Sequence, residues 1–314
     1  MKCKKSIMGL AALLILIFHF YIPFTGSKVE MIMYRAAYIG VDIFFFVSAY
    51  SLAQREKITY QTFIRNRLLM IYLPFVMFAL IANFYEKWKF PRFFKVVSGV
   101  EFFQKGGGAF LWFLVAIMLI YLIAPFLVKM KHKFAWKAFW GMISGWLLLS
   151  VIFQYIFQNS DIFILLNRLP VFFIGMYYEE IRTLLPKKCK LAVILIGLAA
   201  GGYLISKYGS LRLINKPFYD MYYVIAIPFI VSLIALWDFV SSRIKIRNIP
   251  MQFIGQFTLE LYGLQMIFGY DLEIEILNAT RQMLPTFLIT ALCLLTGAYV
   301  LYSIKRLLLK LFIS

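Results

Sequence analysis

Acidic residues are scarce in this chain: 14 Asp and Glu stand against 33 Lys and Arg, and charged residues of both signs make up only 15% of its 314 positions. So thin a polar coat excludes a soluble globular domain, whose surface needs far more charge. Cysteine is rarer still, at 3. Cys3, Cys189 and Cys293 form no CxxC pair and no ligand spacing, which excludes a disulfide framework and a cysteine-built metal site. There is no internal repeat and no low-complexity tract. Gly106-Gly107-Gly108 is followed by no Lys-Ser/Thr, so it is read as a flexible hinge and not as a phosphate loop. Finally, the net charge of +19 resides in short loops beside apolar runs, with no folded basic domain to carry aromatic stacking platforms. That argues against a nucleic-acid partner.

What the chain has in abundance is apolar surface: 63% hydrophobic residues, 33 Phe and a mean hydropathy of +0.82. These values describe an all-α polytopic membrane protein. Windows of about 20 apolar residues fall at 6–24, 36–54, 68–85, 110–128, 138–157, 162–179, 191–206, 218–239, 251–270 and 284–304, predicting about ten transmembrane helices in one bundle and a single domain over 1–314. The leader Lys2-Cys3-Lys4-Lys5 precedes an apolar run too long for a signal peptide and lacking an Ala-x-Ala site, so it is read as an uncleaved first helix. An even number of spans puts both termini on one side. The leader and the loops near 55–67, 129–137, 182–190, 241–247 and 305–310 hold 21 of the 33 basic residues, all on one face. The positive-inside rule makes that face cytoplasmic; the membrane is expected to be a bacterial plasma membrane, with anionic membrane lipids as partners. Residues 86–105 fall outside in this topology and mix Lys87, Lys89, Arg92, Lys95 and Lys105 with Trp88, Phe90, Phe93, Phe94, Phe102 and Phe103. That composition predicts an interfacial amphipathic segment.

Against this background His19 stands out as the one histidine inside a membrane-length apolar run. An ionisable group there is a functional-site hypothesis by default. Thirteen residues beyond the start of the run at Ser6, it lies about 20 Å into a core about 30 Å thick. Asp42 enters from the opposite side at similar depth, and the two spans are joined by a short connection. A carboxylate beside an imidazole raises its basicity and orients it, the arrangement a general base needs to deprotonate a hydroxyl. The structural alternative is that His19 hydrogen-bonds a neighbouring helix and Asp42 caps the second span.

Ile7 to His19 resembles the first-helix signature of the membrane-bound acyltransferase-3 family, and Gly40-Val41-Asp42-Ile43-Phe44-Phe45-Phe46-Val47-Ser48-Ala49-Tyr50 resembles its GVDxFFxxSG(F/Y) signature. Further matches follow in order. They are Phe63-Ile64-Arg65-Asn66-Arg67 with Pro74, Leu111-Trp112-Phe113-Leu114 with Tyr121 and Pro125, Arg168 to Gly175, and Ile254 to Tyr262. The resemblance implies transfer of an acyl group, usually acetyl, from acetyl-CoA or another acyl-CoA to a hydroxyl of a cell-surface or lipid-linked glycan, with no metal. It implies that His19 is catalytic, with Asp42 as its partner. Arg65 and Arg67 would hold the donor's phosphates through guanidinium forks. Trp112, Arg168, Glu260 and Gln265 would contact substrate, and Arg168, among apolar neighbours, would face the bundle interior because a lipid-facing charge is costly.

The chain departs from the family pattern at Met8, Ala49, Met70, Ile117 and Gln265, where a basic residue, Gly, a basic residue, Glu and His are common. A competing reading follows from those losses: a non-catalytic relative that exports or flips a polysaccharide precursor.

Overall fold

The computed structural model describes residues 4–20, 37–55, 58–157, 161–184, 189–208, 222–243 and 249–313. The connection between the first two spans and the basic residues Lys2, Lys57, Lys187, Lys188, Lys245 and Arg247 lie outside the described residues, as does Cys3.

Within them the chain is helical, with no strand. In order the helices are α1 (Lys4–Phe18), α2 (Gly40–Ala53), α3 (Tyr60–Glu86), α4 (Phe90–Val97), α5 (Val100–Lys105), α6 (Trp112–Phe134), α7 (Trp136–Tyr155), α8 (Phe163–Leu166), α9 (Leu169–Met176), α10 (Tyr178–Leu184), α11 (Lys190–Tyr208), α12 (Tyr222–Ile225), α13 (Ile227–Arg243), α14 (Ile249–Ile254), α15 (Thr258–Thr280) and α16 (Met283–Ile313). Each predicted window contains helix. Six helices among the described residues are long and apolar enough to cross a membrane, and Gly40–Ala53 and Phe163–Met176 are shorter apolar ones. This is an all-α, multi-pass membrane fold.

The chain divides into two compact units. The first comprises Met1–Ile43 and Leu233–Ser314. Here α1 lies so close to the α14–α15 region that a side chain at Gly9 would strike the Met251 backbone and one at Gly255 the Lys5 backbone. Glycine at both points lets the helices approach backbone to backbone. The indole Nε1–H of Trp237 donates to the hydroxyl of the fully buried Ser6 at 3.1 Å, satisfying a polar group that lipid-like surroundings would leave costly.

The second unit is Phe44–Ser232. Its longest spans are α3 and α6. Pro74 in α3 lacks the N–H that would close the preceding turn, and a π turn at Leu68–Tyr72 lies immediately before it. Gly197 and Gly201 on α11, four residues apart, seat the backbone of α11 against Ser232 and Phe229 of α13.

Residues 86–105 form α4 and α5. Phe90 and Phe94 are exposed, as an interfacial helix requires, yet Val96 and Phe102 are buried. The hydroxyl of Tyr72 donates to the Val97 carbonyl at 3.4 Å. Tyr72 lies about 21 Å before the end of α3 at 1.5 Å per residue, so the chain leaving α3 folds back along it. Arg92 is held over the Trp88 ring at 4.3 Å and pairs with Glu86 at 3.5 Å and Glu101 at 3.6 Å. Gly106–Gly108 is one 3₁₀ turn, with Gly106 at φ +49° packed against Asp161. It is a close packing point where the sequence suggested a hinge.

Candidate active site

The end of α1 builds the first cluster. A helix leaves its last carbonyls without intrahelical partners, and three of them are answered here. The Ile15 carbonyl accepts from the His19 backbone N–H at 3.0 Å and from His19 Nδ1–H at 3.0 Å. The Leu16 carbonyl accepts from Gln265 Nε2–H of α15 at 3.0 Å. The Ile17 carbonyl accepts from Phe20 N–H at 3.2 Å.

Because a carbonyl can only accept, the bond to Ile15 puts the proton of the neutral imidazole on Nδ1. Nε2 then carries the lone pair, which is the atom a general base uses. The His19 ring stands edge-on to Phe18 at 5.0 Å and to Tyr262 of α15 at 6.4 Å. Gln265 is buried, and its Oε1 has no hydrogen-bond donor among the described residues.

Asp42 is fully buried in the same unit. Gly40, two residues earlier, sits against the Ala11 carbonyl and Ile15, which sets the start of α2 on the last turns of α1. The imidazole's orientation comes from Ile15, a backbone partner that sequence reasoning did not anticipate. Glu260 is also buried, and its carboxylate pairs with the Lys305 ammonium of α16. It ties α15 to α16.

The second cluster belongs to the other unit. Arg168 is fully buried, its guanidinium lying over the Trp112 ring at 4.7 Å and the Tyr223 ring at 3.7 Å. One of its terminal N–H groups donates to the Ile164 carbonyl at 2.6 Å, one helical turn back. Asn167 beside it is buried too. Two aromatic faces and a carbonyl thus hold a cation with planar, forked donors.

Arg65 and Arg67 lie two apart on α3, a spacing that does not share a helix face. Arg65 is exposed. Arg67 lies over Phe63 at 5.1 Å and Tyr121 of α6 at 4.7 Å, with its Nε buried and lacking a hydrogen-bond partner among the described residues.

The acyltransferase-3 family model, described as an acyltransferase domain, matches residues 8–303. The chain belongs to this family. No curated protein and no solved structure matches it. The match runs through both units, from α1 to α16. Membership supports a membrane acyltransferase. It also gives the two clusters a common context, since His19, Asp42, Glu260 and Gln265 fall in one unit and Arg65, Arg67, Trp112 and Arg168 in the other. Among the described residues no three His, Cys, Asp or Glu side chains could hold a metal ion.

Several residues of these clusters were not singled out from sequence. Tyr223 carries no signal beyond being one of 20 tyrosines, whereas Tyr262 closes the last family-like motif without a role being assigned to it. A third polar group involves Tyr50, Lys131, His132, Tyr177, Glu179 and Glu180, which border a cavity of about 420 Å³ or bond to its lining. Lys131 Nζ donates to the Met176 carbonyl at 2.6 Å and pairs with Glu180 at 2.8 Å. Tyr50 donates to Glu179 at 2.5 Å, and Arg182 pairs with Glu179 at 2.6 Å. A spacing signal exists only for the last pair, at i and i+3 on α10.

Proposed function

We propose that the protein transfers an acyl group, in the simplest case acetyl, from acyl-CoA to a hydroxyl of a cell-surface or lipid-linked glycan. The observation that carries this reading is the His19 Nδ1–H bond to Ile15, which leaves Nε2 as the proton acceptor. Nε2 takes the proton of the acceptor hydroxyl as its oxygen attacks the thioester carbonyl. The new C–O bond forms, the C–S bond breaks, and the departing thiolate takes up the proton that the imidazolium holds. Asp42 stabilises that imidazolium from the same unit.

Nearby N–H and O–H donors serve the oxyanion; the candidates are Tyr262, whose ring contacts His19, and Gln265, three residues on along α15. Arg65 and Arg67 supply cationic contacts for the donor's phosphates, Arg65 from an exposed position. Trp112 and Arg168 offer an aromatic platform and a cation for the glycan, and Glu260 fixes the helix that carries Tyr262 and Gln265. The two units are parts of one acyltransferase domain over 1–314. Both termini are cytoplasmic, and the membrane is a bacterial plasma membrane.

The deciding experiment is mass spectrometry of envelope glycans from cells carrying wild-type protein, His19→Ala, or none. Acyl groups present only with the wild type support the enzyme. Unchanged acylation with failed polysaccharide export would replace it with the export reading.

A further inference from the structure

Between α3, α6 and the turn after α4 lies a cavity of about 190 Å³, wholly within the second unit. At roughly 30 Å³ per water-sized group it has room for about six, the bulk of a chain segment and far less than a whole lipid. Its walls are apolar: Phe75, Val115, Met118 and Leu119 line the depth, and Leu68 and Leu122, each 49% exposed, flank it at the protein surface. The surface on that side is one that a membrane protein presents to lipid tails.

Among residues of this lining, which also includes Ser98 and the two tyrosines Tyr72 and Tyr121, one is charged. Arg67 borders the cavity with a buried Nε–H that donates to nothing among the described residues, and no carboxylate pairs with it there. Its flat faces are taken by Phe63 and Tyr121, which fix the guanidinium without neutralising it. A buried donor on a cation is expensive to leave unmade. The ligand that satisfies both features has an apolar chain for the cavity and an anionic oxygen for the guanidinium.

We propose that this cavity holds one acyl chain of an anionic phospholipid, entering sideways from the bilayer between Leu68 and Leu122, with its phosphate on Arg67. The site shares Arg67 with the proposed donor contact. A guanidinium has five N–H donors, so a lipid phosphate at one edge leaves others for a second anion.

The test uses full-length protein purified with phosphatidylglycerol or phosphatidylcholine and examined by native mass spectrometry during stepwise delipidation. Wild type retains one phosphatidylglycerol under conditions that strip phosphatidylcholine. Arg67→Gln removes the charge-assisted contact and Leu119→Trp fills the cavity while keeping the charge; each lowers retention about tenfold or more. If Leu119→Trp does not yield folded protein, Val115→Phe occludes the same space. Equal retention of the two lipids, or undiminished retention by both variants, overturns the proposal. So does displacement of the lipid by coenzyme A alone, which would assign the anion on Arg67 to the acyl donor. Retention that persists in excess coenzyme A supports the lipid site.

Discussion

The ring of Tyr262 stands edge-on to the ring of His19, with centroids 6.4 Å apart. Tyr262 and Gln265 are three residues apart on α15, so they share a helix face, and Gln265 is bonded to the Leu16 carbonyl. The face of α15 that pins the end of α1 therefore also carries the ring that packs against the imidazole. One helix face makes both contacts.

His19→Ala is expected to lower acyl transfer by about 10²–10⁴-fold at unchanged protein level, since it removes a general base and places a good helix former at a helix end. Asp42→Asn is expected to give a partial loss, because an amide can hydrogen-bond an imidazole but cannot stabilise its cation. Immunoblots of membranes alongside transfer assays check both. Parallel loss of protein in the two variants would make the pair structural.

Tyr262→Phe keeps the ring against His19 and deletes the hydroxyl. Transfer is expected to fall about tenfold, the worth of one hydrogen bond of about 1.4 kcal/mol in the transition state. KM for the donor should be unchanged. A fall in thermal stability with normal turnover would instead assign the hydroxyl to packing.

Gln265→Leu leaves the Leu16 carbonyl without its donor in a buried setting. We expect a stability loss of about 1–3 kcal/mol, read as a lower melting temperature in detergent. The bond positions the end of α1, so turnover should also drop. A melting temperature equal to wild type would show that the carbonyl finds another donor.

Arg168→Lys keeps the charge but loses the planar fork that lies over Trp112 and Tyr223. Normal protein level with at least a tenfold loss of transfer is the expected result. Arg168→Lys with full activity would remove this residue from substrate contact.

Topology is checked with the exposed Cys189. With Cys3 and Cys293 replaced by serine, a membrane-impermeant maleimide should modify Cys189 only after the inner face is opened. A cysteine introduced at Lys105 in a cysteine-free background should react from outside. The reverse pattern would invert the proposed orientation.

The helical membrane architecture was legible in the sequence because twenty-residue apolar windows report on lipid solvation, a local property of each segment. His19 was legible for the same reason, as a polar exception within one such window. Contacts between distant segments were not. Arg67 over Tyr121 and Arg168 over Trp112 join motifs far apart in the chain, and nothing in either motif alone specifies the meeting. The bond from Gln265 to Leu16 depends on how α15 lies against α1, which Gly9 and Gly255 permit but do not announce. The return of α4 along α3 was hidden because exposed Phe90 and Phe94 give the same amphipathic pattern whether the helix lies flat or folds back.

The π turn at Leu68–Tyr72 has its own consequence for how this helix tolerates change in length. A π turn is an α-helix that has absorbed about one surplus residue without breaking. Removing Met70 would let the surrounding chain close as regular α-helix, so span length and hydropathy would hardly alter. The surplus residue is taken up inside the turn, so the helix on either side would keep nearly the same bearing: Arg67 would stay over the Tyr121 ring and Arg65 would keep its outlook. A single codon can be lost at this point without redirecting either arginine.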